Sequence, residues 1–278
     1  MSRLHIVITS CGEECTYTLL DEVVRQTQAV TSRGIAFRDR VSVVILFDAD
    51  HTGAESEDFL NRIRCRYQQV YPFVQLHSVC RGNDLGHMRN WVRRFIPEND
   101  FILYLDADEF VMPHFLSSLL CYLYLFDKEE TTNYDIFSFP RANTWYGEGV
   151  PAEFNRKYTD KIPQLDWDAL CSFDWEKRDG YGYGMGRELM LDGFPDFQAR
   201  LMRNKTGINW RYAVHATLDW DGTRSYGLSY GGLIILHHKP WIPVEQRYWS
   251  SHIEQGYEDI NGEWNTKDWV HCDEKEED

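Results

Sequence analysis

Phe101-Ile102-Leu103-Tyr104-Leu105-Asp106-Ala107-Asp108-Glu109-Phe110 carries five apolar residues straight into two carboxylates one residue apart. A short, continuous apolar run reads as a strand buried on both faces, as in a parallel sheet covered by helices. Open α/β sheets bind ligands beyond the carboxyl ends of their strands, so Asp106 and Asp108 are expected at a ligand position. Two hard oxygen donors this close suit Mg²⁺ or Mn²⁺, either of which can bridge a diphosphate. An ion held there would neutralise the charge that develops on a diphosphate leaving group.

Upstream, the chain alternates strand and helix. Leu4 to Thr9 and Val41 to Phe47 are apolar, β-branched runs of strand length, and Val74 to Val79 is a third, weaker one. Between them Leu19, Leu20, Val23, Val24, Thr27 and Val30 recur at helical spacing, with Gly34 as a stop, and Phe59, Leu60, Ile63 and Tyr67 mark a second helix face. Met88, Trp91, Val92, Phe95 and Ile96 predict a third helix and Phe115 to Phe126 a fourth. The order βαβαβαβα predicts an α/β fold with a mostly parallel central sheet.

Asn83-Asp84-Leu85-Gly86-His87-Met88-Arg89-Asn90 opens the third helix. A helix N-terminus offers free N–H groups to phosphate oxygens, Gly86 permits close backbone approach, and Arg89 could pair with a diphosphate or a nucleobase. The plain alternative is a capped surface helix with a solvated Arg89. From Asn143 to Asp192 the chain is rich in Trp, Tyr, Gly and Asp and has little periodicity, which suggests a binding loop or lid. Strands are expected near 198–204, 208–215 and 232–238, and a helix near 244–256. No repeat or Pro-rich linker divides the chain, so the reading is one domain.

Composition narrows the partners. The 278 residues carry 29 Lys+Arg against 44 Asp+Glu, a net charge of −15, which argues against nucleic acid or an anionic membrane. The 10 Trp, 16 Tyr and 15 Phe are enough to line a sugar cleft as well as fill a core. Seven Cys without a Cys-x-x-Cys pair read as reduced thiols. The opening apolar run is too short for a signal peptide, and no stretch reaches the roughly 18 apolar residues of a membrane span. These features predict a cytoplasmic protein, with the Asn204-Lys205-Thr206 sequon unglycosylated and residues Asp273 to Asp278 a solvated acidic end.

The Asn83–Asn90 helix start followed by Asp106-Ala107-Asp108 resembles family 2 glycosyltransferases of the GT-A fold, over residues 4 to 116. The resemblance implies a GT-A (Rossmann-like nucleotide-binding) fold with an irregular aromatic-rich acceptor region. Residues 1–116 would be the nucleotide-sugar half of a single 1–278 domain, 117–260 the acceptor and catalytic half, and 261–278 an acidic tail. It further implies that Thr9, Ser10 and Asp48 contact the nucleotide, that Asn83, Gly86, Arg89 and Asp106 hold the donor, and that Asp106 and Asp108 bind the ion. Gly12 stands where the family often has Asn.

The second half is similar to a branch of that family with Asp-x-Gln-x-Arg-Leu, then Val-His-Glu, then a later His. Here the segments are Asp196-Phe197-Gln198-Ala199-Arg200-Leu201, Val214-His215-Ala216 and Leu236-His237-His238-Lys239, with Ala216 in place of the Glu. The likeness implies Asp196 as general base and His237 or His238 as a third metal ligand. Adjacent strand positions face opposite ways, so only one of the two reaches the ion. The implied activity is metal-dependent transfer of a sugar, with inversion, from a UDP- or GDP-linked donor to a hydroxyl of a carbohydrate, lipid-linked or protein acceptor.

Two other readings compete. Val43-Val44-Ile45-Leu46-Phe47-Asp48-Ala49-Asp50-His51-Thr52 looks like the nucleophile strand of haloacid-dehalogenase-type phosphatases, in which Asp48 would attack phosphorus and Asp50 would act as acid and base. That family also needs a later Gly-Asp-x-x-x-Asp segment, which this sequence lacks. A non-catalytic carbohydrate-binding protein would use the aromatic residues but would not need the paired carboxylates.

Overall fold

The computed structural model describes residues 2–32, 40–50, 52–80, 84–128, 134–146, 192–211, 217–220, 224–227 and 233–240. The alternating first half forms as its periodicity predicts: β1 (Leu4–Ser10), α1 (Cys15–Ser32), β2 (Val41–Asp48), α2 (Ala54–Ile63), β3 (Val74–Val79), α3 (Leu85–Val92), β4 (Phe101–Asp106) and α4 (Phe115–Lys128). β3, β2, β1 and β4 lie side by side and parallel, in that order. All seven residues of β1 are buried, because it is flanked on both sides in the sheet and covered on both faces.

Strand alternation sorts the apolar residues into two cores. Ile6, Ile8, Val43, Ile45, Phe101, Leu103 and Leu105 pack with Leu19, Leu20, Val23 and Leu119 of α1 and α4 on one face. Val7, Val44, Leu46, Ile102 and Tyr104 pack with Met88 and Val92 of α3 on the other. Gln26 of α1 donates to Met112 O (2.8 Å) and accepts from Leu116 N (2.9 Å), so a buried amide ties α1 to the first turn of α4.

The second half extends the sheet with mixed pairing. A three-residue strand, β5 (Glu109–Val111), follows β4 almost at once. β6 (Tyr134–Tyr146), β7 (Asp192–Arg203), β8 (Ile208–Arg211), β9 (Thr217–Trp220), β10 (Arg224–Gly227) and β11 (Ile235–Pro240) complete the described elements. The sheet order is β3-β2-β1-β4-β7-β6-β11-β5, with β10 beside β6, and β8 and β9 form a separate hairpin. Thus β4 and β5, two residues apart in sequence, sit far apart in strand order. The Asp106–Glu109 turn spans that gap, and β5 pairs antiparallel with β11 through Glu109 and His237.

Several boundaries differ from the sequence expectation. The apolar stripe to Phe95 and Ile96 does not continue as α-helix: α3 ends at Val92 and Arg93–Phe95 is a 3₁₀ turn. The tighter turn rotates Phe95 outward, 59% exposed, where its ring meets His77 and Trp91. Residues 143–146, expected as irregular, belong to β6, and the strand expected over 208–215 is described only to Arg211. Gly34, most of the 143–192 segment, the helix near 244–256 and the acidic tail lie outside the described residues. No helix among the described residues is long and apolar enough to cross a membrane.

Asn204 links β7 to the end of α3 and is 8% exposed. Its amide donates to Ile96 O (2.6 Å) and Arg93 O (3.1 Å) and accepts from Arg93 Nε (3.0 Å). An amide nitrogen so engaged cannot serve as a glycosylation acceptor in the folded chain. Asn204→Ala leaves those carbonyls and a guanidinium short of partners, an expected loss of about 2–3 kcal/mol. Urea unfolding should show it as a lower midpoint with an unchanged slope.

Candidate active site at the ends of the parallel strands

Asp106 ends β4 beside the end of β1, and parallel register sets Thr9 opposite it. Thr9 Oγ1 donates to Asp106 Oδ1 (2.8 Å), and Arg89 Nη2 donates to the same oxygen. Arg200 Nη2 approaches Oδ2 at 3.2 Å. Burial alone would raise the Asp106 pKa, but Arg89 and then Arg200 outweigh it and hold the carboxyl well below the usual range. Asp106 is therefore a permanent carboxylate bonded to two guanidiniums. A cation there would compete with both for its remaining lone pairs.

Arg89 is not the solvated residue of the plain alternative. It is 1% exposed, and its guanidinium carbon lies 4.4 Å from the centroid of the Trp210 ring. The adjacent Asn90 holds that Trp in place: its Nδ2 donates to Trp210 O and its Oδ1 accepts from Trp210 N, both at 2.9 Å. Gly86 is buried in the first turn of α3. The helix start carries its own cap, since Asp84 Oδ1 accepts from His87 N (2.9 Å). A carboxylate thus occupies one of the N–H groups expected to meet phosphate. Asn83 lies outside the described residues.

Asp108 and His237 are more open. His237 Nε2 and Asp108 Oδ2 are 2.9 Å apart, with the side chains 16% and 38% exposed. Glu109 pairs with His237 in register, and Asp108 precedes it in the turn rather than in the strand, where its carboxylate is free of strand alternation and meets the imidazole. Nearby, burial, then Glu13 and Asp108, push the Cys15 thiol up to about 12. Among the described residues no three His, Cys, Asp or Glu side chains form a metal-binding group. His238 pairs in register with Thr144 and Asp196 with Arg141, but both of their side chains, and all of His215, lie outside the described residues.

Ser10 turns into its own loop, while Asp48 is shared between its own turn and Cys11 of the β1 loop, whose Sγ lies 3.8 Å from Asp48 Oδ2. Ser10 Oγ meets Glu13 Oε2 (2.8 Å) and Thr16 Oγ1 (2.8 Å) and accepts from Gly12 N (3.0 Å). Asp48 is 2% exposed, and its Oδ1 accepts from Asp50 N (3.1 Å). Gly12 has φ +101°, a conformation that strains any L-residue, and a Cβ there would sit 3.6 Å from the Phe47 ring. Beside this loop a pocket of ≈ 360 Å³ opens at the ends of β1 and β2, lined by Cys11, Gly12 and Thr52 to Ser56.

Arg200 and Glu109, without a role in the sequence expectation, are central to the site. Glu109 is fully buried; its Oε1 accepts from Arg200 Nη2 (2.6 Å) and its Oε2 from Asp106 N (3.1 Å). A signal was present: a charged residue within apolar strand sequence is seldom buried without a partner.

The sequence matches no family model and no curated protein. Among solved structures, it is similar to the crystal structure of S. aureus TarS, at 12% identity and TM-score 0.40 over 73% of this chain and 28% of that one. It is also similar to GalNAc-T7 with UDP, GalNAc and Mn²⁺, at 14% identity and TM-score 0.36 over 52% of this chain and 24% of that one. A third is 4-diphosphocytidyl-2C-methyl-D-erythritol synthase, at 14% identity and TM-score 0.32 over 73% and 76%. The chain thus covers less than a third of the TarS and GalNAc-T7 chains.

Proposed function

We propose that this chain is a glycosyltransferase of the GT-A type, moving a sugar from a UDP- or GDP-linked donor to an acceptor hydroxyl with inversion. The observation that carries the reading is the meeting of Asp108 and His237, 129 positions apart in sequence, at the open rim of the strand ends. One carboxylate oxygen and one imidazole nitrogen fit a divalent cation, and the mixed pair favours Mn²⁺ over Mg²⁺, which prefers oxygen ligands. Asp108 and His237 would hold the ion, with phosphate oxygens of the donor completing its shell. Bound there, it supplies Lewis-acid neutralisation of the departing diphosphate.

The chain's own groups do the rest. The pocket beside Gly12 is large enough for part of a ligand and takes the nucleoside. Asp106, locked between Arg89 and Arg200, fixes the turn that presents Asp108. Asp196 removes the proton from the acceptor oxygen as that oxygen attacks the anomeric carbon and the bond to the diphosphate breaks. The aromatic 143–192 segment would supply much of the acceptor side, for a carbohydrate, a lipid-linked sugar or a protein. The phosphatase reading is disfavoured because Asp48, its nucleophile, is buried and accepts from its own turn.

Thermal unfolding with UDP or GDP, with and without Mn²⁺, tests the proposal. A ligand specific to the native state at a hundredfold over its Kd stabilises by about 2.7 kcal/mol, which should raise Tm by roughly 5–10 °C for a chain of this size. The rise is expected only with Mn²⁺ present. No rise with either nucleotide, together with hydrolysis of an aryl phosphate that Asp48→Asn abolishes, would install the phosphatase instead. A sugar-binding protein would do neither.

A further inference from the structure

Behind the open pair lies a buried one. Glu109 is 0% and Arg200 4% exposed. Arg200 grips Glu109 through Nε (3.1 and 3.2 Å) and Nη2 (2.6 Å), and the same Nη2 reaches Asp106. Burial alone would lower the Arg200 pKa, but Glu109 and then Asp106 outweigh it and hold the guanidinium above its ordinary value. Arg141 stands 3.7 Å from the same Glu109 carboxylate. Glu109 therefore joins three strands: its Oε2 caps the backbone N–H of Asp106 at the end of β4, its Oε1 takes Arg200 from β7, and its own backbone pairs with His237 of β11. Asp108 lies between the two points so fixed.

We infer that Glu109 and Arg200 are positioning residues that set the separation of Asp108 and His237, acting through the backbone of the Asp106–Glu109 turn rather than by touching substrate or ion. The inference rests on the ion assignment proposed above for its main readout. Groups behind a metal ligand characteristically change ion affinity by about 10–100-fold when altered. Without the cap on Asp106 N–H and the anchor on β7, the turn can relax, and the carboxylate and imidazole no longer converge.

The experiment is Mn²⁺ titration of the full chain, read from the loss of the free-ion electron paramagnetic resonance signal. Wild type is compared with Glu109→Gln, with Glu109→Met/Arg200→Met and with an exposed control, Glu57→Gln. The double apolar variant guards against misfolding, because replacing both members of a buried ion pair preserves folding better than removing one. Expected are Mn²⁺ affinities about 10–100-fold below wild type in both site variants, a normal value for the control, and cooperative thermal unfolding in all four. Folded variants that bind Mn²⁺ within twofold of wild type overturn the inference. If wild type itself binds no Mn²⁺, the ion assignment is what fails. The positioning claim is then decided by a crystal structure of the folded variant: an open Asp108–His237 contact sustains it, and the wild-type 2.9 Å contact refutes it.

Discussion

Asp108→Ala is expected to lower Mn²⁺-dependent sugar transfer by about 10³-fold, since charge stabilisation by a bound ion contributes several kcal/mol in the transition state. Folding should barely change. The Asp108 side chain is more than a third exposed, and its one described hydrogen bond is to His237. Substitutions at such positions usually stay within about 0.5 kcal/mol. Initial rates across a Mn²⁺ series, with thermal unfolding as control, separate the two effects. The loss should fall on kcat and on Mn²⁺ affinity, because in the proposed mechanism the residue would hold the ion and not the nucleoside. Asp108→Asn keeps the size and one acceptor oxygen but gives up the charge, and belongs near the Ala variant in rate. Transfer within tenfold of wild type in the Ala variant would remove the ion from Asp108 and the mechanism with it.

The parts of the fold legible in the sequence are those whose burial is uniform. β1, β2 and β4 are covered on both faces, so each reads as an unbroken apolar run. α1 and α3 show one apolar face apiece, hence the helical spacing of Leu19, Leu20, Val23 and Val24 or of Met88 and Val92. β5 was not legible because three residues carry no period, and it owes its existence to pairing with β11. β6 and β7 pair across register shifts at Phe137/Ser138 and Arg141/Asn143, which break the two-residue alternation that a pattern search relies on. At the site, the Asp-x-Asp spacing presents Asp106 and Asp108 as equivalent donors. Spacing cannot tell a carboxylate facing two arginines from one facing a histidine. That distinction comes from Arg89 and Arg200, which arrive from α3 and β7, 17 positions before and 94 after Asp106.

Arg89→Met tests whether that division holds the end of β4 together. In wild type the guanidinium is 1% exposed, bonded to Asp106 Oδ1 and stacked on Trp210. Removing it takes away one of the two guanidiniums that compensate the carboxylate and leaves Trp210 without its cation. Breaking a buried pair from one side typically costs about 3–5 kcal/mol, and the lost stacking adds about 0.5–2 kcal/mol where the ring is desolvated. The pH dependence follows in sign. The folded-state pKa of Asp106 is depressed, so its ionisation contributes stability that is present above the unfolded value of about 3.9 and is lost as pH falls through the folded one. Arg89 is the foremost of the groups that depress it, ahead of Arg200. The variant's Asp106 therefore takes up a proton at higher pH, and acid unfolding should begin earlier in the titration than in wild type. Asp106→Leu added to Arg89→Met removes both charges and should recover much of the loss, so the two changes would be strongly non-additive. Equilibrium urea unfolding of the four proteins at neutral and acidic pH measures both effects. A single variant within about 1 kcal/mol of wild type, with an unmoved acid limb, would mean that Asp106 is held by Arg200 and Thr9 alone.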